Sequence, residues 1–372
     1  SWLGNVAFII LIFKTFNSLV GTMNPIVSFI LASVLLWILH YIQTLGTRDA
    51  GILNGIITIA KVIPLLLVII FGIMIFKTGT FNVANWTSKL VVDGSATSVG
   101  TQIKGAMGTI LWCFIGVEAA TVLSARAKSQ KDVGKSTVVS LLITLLLYIL
   151  ISVTAMGTVP AKTLAAAQTP LADVLSGTLL SGAGAVIVKV GLIVSLIGGL
   201  ISWIMLAAEI PYIAAKGGTM PKWFAKENKN GVPTNSLLIT DILTQVFLLS
   251  ILWPVLQTAY SNVFIISTTC ILIPYLFSAM YAFKISVKDK SSAKDYIISI
   301  IACIYAIYVI WAVGIKYVGE ALIMYAIGIF VFLRAKKEEN ESLTKVEKVV
   351  MLIIGVLAIA MIVLLATGTI SL

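Results

Sequence analysis

Two side chains in one apolar run are out of place for a packing helix. The run reads Lys104-Gly-Ala-Met-Gly-Thr-Ile-Leu-Trp-Cys-Phe-Ile-Gly-Val-Glu-Ala-Ala. It sets Glu118 near the middle of a segment otherwise suited to lipid, where a carboxylate costs ~3 kcal/mol on insertion scales. A carboxylate at that depth is tolerated when it faces a polar cavity or a partner; the structural alternative is a protonated or hydrogen-bonded Glu. Trp112 lies six residues earlier, about 240° around an unbroken helix. A regular helix therefore cannot aim both at one place. Gly116 between them permits a local unwinding, and an unwound turn whose backbone lines a cavity at mid-membrane is how many transport sites are built. Taken singly, a Gly and a Trp in such a run read as ordinary packing.

Lys61 is the other expensive residue. It lies 13 residues beyond Arg48, about 20 Å deep at ~1.5 Å per residue, and snorkelling spans only part of that. Its structural alternative is a salt bridge to a carboxylate. Glu209 and Asp241 fall near expected cytoplasmic helix ends, where partners and water favour a structural reading. His40, the single histidine, reads as packed or interfacial. Cys113, Cys270 and Cys303 sit in apolar runs without metal-ligand spacing and read as small core residues. The chain thus offers no metal cluster and no nucleophile–base motif, so the usual enzymatic toolkit is missing and no cofactor or metal is expected. A membrane-embedded enzyme and a substrate-sensing receptor stay open as alternatives.

The elements that must hold these residues are membrane helices. Of the 372 residues, 59% are hydrophobic and 11% charged, against roughly 25% charged in soluble domains. Apolar segments fall at about 1–20, 24–45, 50–76, 103–126, 137–159, 183–213, 235–257, 260–284, 293–313, 317–334 and 346–369. Each is close to the ~20 residues that cross ~30 Å of hydrocarbon. Polar loops separate them, such as 78–102 and 160–182. The first run reaches Lys14 early, which suggests a chain that starts part-way through a helix with sequence upstream.

Charge sets the expected orientation. Arg48; Arg126, Lys128, Lys131 and Lys135; Lys216, Lys222, Lys226 and Lys229; Lys284, Lys288, Lys290 and Lys294; and Arg334, Lys336, Lys337, Lys345 and Lys348 all fall in alternate loops. The opposite loops hold Lys14, Lys77, Lys89, Lys104, Lys162 and Lys316. The richer side is cytoplasmic by the positive-inside rule, which puts the C-terminal residues 369–372 outside. A net charge of +11 spread over short loops makes no basic face for nucleic acid; anionic lipid headgroups are the expected partner. Gly191, Ser195, Gly199 and Ser202 form a small-residue stripe on which another helix can approach closely.

Leu111–Ala120 resembles the sixth helix of the amino acid–polyamine–organocation superfamily, and more narrowly the basic amino acid/polyamine antiporter family, which includes arginine/ornithine exchangers. Ser1-Trp-Leu-Gly-Asn5, Leu123-Ser-Ala-Arg-Ala-Lys128, Ala207-Ala-Glu-Ile-Pro-Tyr-Ile-Ala-Ala-Lys216 and Met220-Pro-Lys-Trp-Phe-Ala-Lys-Glu-Asn-Lys-Asn-Gly231 extend the likeness along the whole chain. The resemblance implies an all-α polytopic membrane protein of about 11 transmembrane segments with a LeuT-like inverted-repeat fold lacking its first two helices. Residues 1–76 would be helices three to five of the first repeat, 103–284 the second repeat, and 293–369 three accessory helices. The broken first helix, which in the family holds the substrate's carboxylate and amino groups, would then lie upstream.

By the same resemblance, Asn5, Trp112, Ile115 and Ser267 match substrate-binding positions. Trp112 is the aromatic that stacks on a guanidinium. Glu118, Trp203 and Tyr275, the last in Ile273-Pro-Tyr-Leu276, match gating positions. Lys61 matches a lysine that mimics the ion of sodium-coupled relatives, an ion-site mimic for coupling. The implied activity is exchange of a basic amino acid for its product at the cell membrane, arginine for ornithine first. Lysine, histidine or diamine antiport and proton-coupled uptake of a neutral amino acid are the alternatives. The implied partners are a cationic amino acid and the lipid bilayer, with a homodimer left open.

Overall fold

A computed structural model describes residues 2–81, 90–92, 95–116, 129–167, 169–178 and 180–369. The long helices begin with α1 (Trp2–Val20), α2 (Pro25–Thr44) and α3 (Thr47–Met74), followed by the single turn α4 (Thr78–Phe81). A small antiparallel ladder, β1 (Leu90–Val92) with β2 (Ser95–Thr97), precedes α5 (Val99–Phe114). Next come α6 (Gln130–Thr158) and the short α7 (Ala161–Ala166) and α8 (Pro170–Ser176). The 36-residue α9 (Ser181–Lys216) leads through the 3-10 turn Lys222–Ala225 to α10 (Thr234–Leu248) and the turn Leu249–Ile251. The chain continues with α11 (Pro254–Lys288), α12 (Ala293–Val313), α13 (Ile315–Glu338) and α14 (Lys345–Ala366).

Nine helices among the described residues are long and apolar enough to cross a bilayer. The other two expected segments are α3, whose apolar part Lys61–Met74 is shorter, and α5, which stops at Phe114. The loops expected at 78–102 and 160–182 contain local structure, namely α4 with the β1–β2 ladder and α7 with α8. Apolar side chains face outwards. Only 11% of the α6 span is buried, and Leu142, Ile143 and Leu146 are all exposed. A helix apolar all round, with most of its surface free of protein neighbours, presents that surface to lipid.

Local signals set several helix starts. The Asn24 carboxamide accepts from the Ile26 N–H, with Pro25 in the first turn of α2. Ser98 accepts from Thr101 N–H at the start of α5, and Thr344 with Glu347 forms a capping box on α14. Each satisfies backbone donors that a helix start leaves open.

The chain divides into two compact units. One comprises Ser1–Thr87, Gly116–Ile213 and Trp223–Leu256. In it α10 packs against α1 and α2, and α3 against α6 and α8. Its buried cluster is Val68, Ala155, Val159, Ala172, Val174, Leu175 and Val188. Small residues let its helices approach closely: a Cβ at Gly72 would sit 2.1 Å from Thr154 Cγ2. The other unit comprises Ser88–Ile115, Ala214–Lys222 and Gln257–Leu372. There α5 packs on α12, and α13 packs on both α12 and α14. Leu111, Leu272 and Val309 meet in its core, and Lys104 Nζ lies 4.2 Å from the centre of the Trp311 ring.

Candidate functional site

The helix ends just before Gly116, the position where a local unwinding was expected. The α5 ladder ends at Phe114, and Ile115 is extended (φ −63°, ψ 132°) with its N–H shared between the carbonyls of Leu111 and Trp112 at 3.1 and 3.2 Å. Gly116 follows at φ +107°, a backbone region that L side chains rarely adopt. Beyond a helix end the backbone groups need partners outside the helix, which is what makes such a break usable by a ligand.

Gly116 is needed for space as well as for conformation. A Cβ there would lie 2.8 Å from Cζ2 and 3.2 Å from Cη2 of Trp203. The indole on α9 therefore rests against the glycine. Two residues singled out separately in the sequence, the break and an aromatic gate, are brought together. Phe8 of α1 meets the same indole edge-on, with centroids 6.3 Å apart and planes at 84°. Gly199, one turn before Trp203, leaves room for the Phe8 ring at 3.4 Å. Asn5 stands one turn before Phe8 on α1. It is wholly buried, and neither its Oδ1 nor its Nδ2 has a hydrogen-bond partner among the described residues. A buried amide without partners is costly, so the Asn5 carboxamide calls for a partner beyond the described residues. Sequence reasoning passed over Phe8, although its place three residues after Asn5 on one helix face was a readable signal.

Lys61 opens onto a cavity of about 260 Å³ lined by α1, α3, the start of α8 and α9. The lining includes Leu11, Pro64, Leu65, Val188 and Ser195, and among the described residues Lys61 is its one charged member. The salt bridge weighed for Lys61 is not formed among the described residues. The small-residue stripe on α9 explains the packing around this cavity. Gly191 takes Pro64 of α3 so closely that a Cβ would sit 2.4 Å from its Cγ, and Ser195 lines the cavity wall.

Trp112, Ile115, Ser267 and Tyr275 belong to the other unit and are all partly buried. Ser267 precedes the buried Thr268 and Thr269 on α11, and Tyr275 follows Pro274, through which α11 continues. The Tyr325 hydroxyl of α13 donates to the Cys270 carbonyl between them. Glu118 lies outside the described residues.

Asp241 differs from its expected setting. It lies within α10, fully buried, with its Oδ2 2.7 Å from His40 Nδ1 of α2. Glu209 is also buried. The polar loop at the end of the Met220–Gly231 motif has a packing task. Asn228 and Asn230 both donate to the Thr44 carbonyl at the end of α2, at 2.8 and 3.2 Å.

Residues 1–333 match the amino acid permease family. The arginine/ornithine antiporter of Pseudomonas aeruginosa is 36% identical over 97% of this chain and 78% of its own length. An arginine/ornithine antiporter of Lactococcus lactis is 34% identical over 99% of this chain and 78% of its own. A putative arginine/ornithine antiporter of Escherichia coli is 33% identical over 96% and 77%. With a helix that ends at Ile115–Gly116 inside a multi-pass helical protein, and these relatives along nearly its whole length, the chain belongs to the amino acid permease family.

Proposed function

We propose that the chain is a secondary transporter of the cell membrane that exchanges a basic amino acid for its product, arginine for ornithine, by alternating access. The observation that supports this reading is the break of α5 at Gly116 beneath Trp203, in a chain whose relatives carry that activity in their names. In this reading residues 1–76 and 103–284 belong to the two repeats and 293–369 are accessory helices. The lysine-rich loops face the cytoplasm and the C-terminus faces outwards.

The roles follow from side-chain chemistry. Trp112 offers an indole face to a guanidinium or ammonium, a contact of ~0.5–2 kcal/mol. Asn5 offers an amide that can both donate and accept. Ile115 contributes backbone and Ser267 a hydroxyl. Glu118, Trp203 and Tyr275 close the path towards the cytoplasm. Lys61 supplies a fixed positive charge in place of a bound sodium ion. Obligatory exchange requires that the loaded site lower the barrier between the two facings, which demands differential affinity for the intervening state.

Proteoliposomes holding the full-length protein test this directly. Labelled arginine is expected to enter only vesicles preloaded with arginine or ornithine, without a proton gradient and without sodium. Trp112→Ala is expected to raise the apparent KM for arginine by roughly 3- to 30-fold, the range of a lost cation–π contact. Unchanged arginine affinity would remove Trp112 from the site. Uptake into empty vesicles driven by protons would make the protein a symporter, and a sodium requirement would remove the coupling role from Lys61.

A further inference from the structure

A second polar cluster lies between α2 and α10, built from residues that take no part in the α5 end or in the lining of the Lys61 cavity. On α2, Ser33, Trp37 and His40 recur at spacings of four and three and so share one face. On α10, Asp241 and Gln245 stand one turn apart and meet that face. The Gln245 amide donates to Ser33 Oγ at 2.8 Å and accepts from Trp37 Nε1 at 3.1 Å. His40 Nδ1 lies 2.7 Å from Asp241 Oδ2, and the Trp37 ring lies against the imidazole with centroids 5.2 Å apart.

The two partners differ in access. The Asp241 side chain is 0% exposed and its Oδ1 has no hydrogen-bond partner among the described residues. The His40 side chain is 18% exposed. His40 stands one turn before the end of α2 at Thr44, so the partly exposed imidazole, and not the enclosed carboxylate, is the group that a proton entering from that helix end meets. With His40 neutral, a buried carboxylate is answered by a single N–H. With His40 protonated, the same contact is an ion pair. A buried charge answered by one hydrogen bond is poorly compensated.

Among the described residues, the other ionisable groups on the elements around the pair lie mostly at exposed positions, Lys216 at the end of α9 and Lys226 in the following loop among them. Asp241 is the one ionisable residue on α10. On α2 the other is Tyr41, which is exposed. Lys14 on α1 is exposed, and the turn Leu249–Ile251 carries none. On α9, whose Ile201 carbonyl accepts from Gln43, Lys189 donates to the Ser18 carbonyl, Tyr212 donates to Glu227, and Glu209 has a partner of its own. The loop against Thr44 adds Lys229, also exposed.

We infer that His40 and Asp241 form a proton-binding site, separate from the α5 break, whose occupancy sets how firmly α2 is held to α10. Between membrane helices the apolar driving force is weak, and polar contacts carry much of the pairing. A change in this contact therefore alters the packing of α2 on α10 without touching the residues assigned to substrate.

The chain's single histidine makes the test clean. Wild-type protein carrying ring-labelled histidine, purified without a histidine tag and placed in nanodiscs, gives one imidazole signal from this chain. It is followed from pH 5 to 8, the interval in which imidazoles generally change charge, and the pH dependence of the signal is expected to differ between wild type and Asp241→Asn. An imidazole that does not titrate there, or that titrates alike in both proteins, overturns the inference. This arm does not depend on the exchange reading. In the second arm, arginine exchange is followed at equal pH on both faces. The wild-type rate is expected to change about fivefold or more over that interval, the usual size of a coupling between sites, while His40→Gln stays flat at unchanged KM. Parallel profiles would equally overturn it.

Discussion

At the scale of single residues, Gly116 is the position on which the candidate site depends. It combines φ +107° with an indole where its Cβ would be. Strained backbone of this kind costs of order 1–3 kcal/mol for a residue with a side chain. Gly116→Ala is therefore expected to lower the melting temperature of the purified protein and to slow exchange. Trp203→Leu in the same background should restore part of the stability by removing the contact but not the backbone strain. A melting curve of Gly116→Ala that matches wild type would show that the turn does not need its glycine. Gly116 and Trp203 were each readable from residue type and spacing, but their contact was not, because it joins helices far apart in sequence. Asp241 shows the same limit. Its sequence position suggested a wet helix end, whereas the face of α10 on which it lies turns it towards His40.

Among elements, the helices were legible because apolar runs of bilayer length have few other uses, and the observed ends fall within several residues of the expected ones. The largest difference is at α5, where the apolar run continues past a helix that has already stopped at Phe114. Hydropathy does not register a change of backbone conformation; only the glycine signals it. The polar motif at 227–231 carries a further lesson. Its asparagines look suited to surface chemistry, yet they bind the end of α2: Asn228 Oδ1 accepts from the N–H groups of Asn230 and Val232 while its amide donates to Thr44. Asn228→Ala leaves several backbone groups without their partners, at about 1–3 kcal/mol for an unsatisfied buried group. It is expected to destabilise the α2 end, seen as faster protease cleavage near 44–48, with the KM for arginine unchanged. Cleavage at the wild-type rate would count against that anchoring role.

For the whole molecule, composition alone identified a multi-pass membrane protein, and loop charge predicts a direction that the fold itself does not encode. The expected outcome is concrete. In a cysteine-free background, a cysteine replacing Lys229 should be inaccessible to an impermeant maleimide added to intact cells, and one replacing Lys162 should be labelled. The opposite pattern would reverse the orientation argued from the basic loops. The pairing of the two repeats was not legible from hydropathy, since inverted repeats share a pattern of spans rather than of residues, and it rests here on resemblance.

The length of α9 has a consequence of its own. Its 36 residues rise about 54 Å, nearly twice the ~30 Å depth of hydrocarbon. The surplus is taken up as a slant or as turns standing clear of the acyl chains. A rod with length in reserve can meet a thicker or thinner membrane by sliding or leaning, without unwinding. The indole carried at Trp203 would then shift its depth relative to the lipid while keeping its place against its neighbours in the protein.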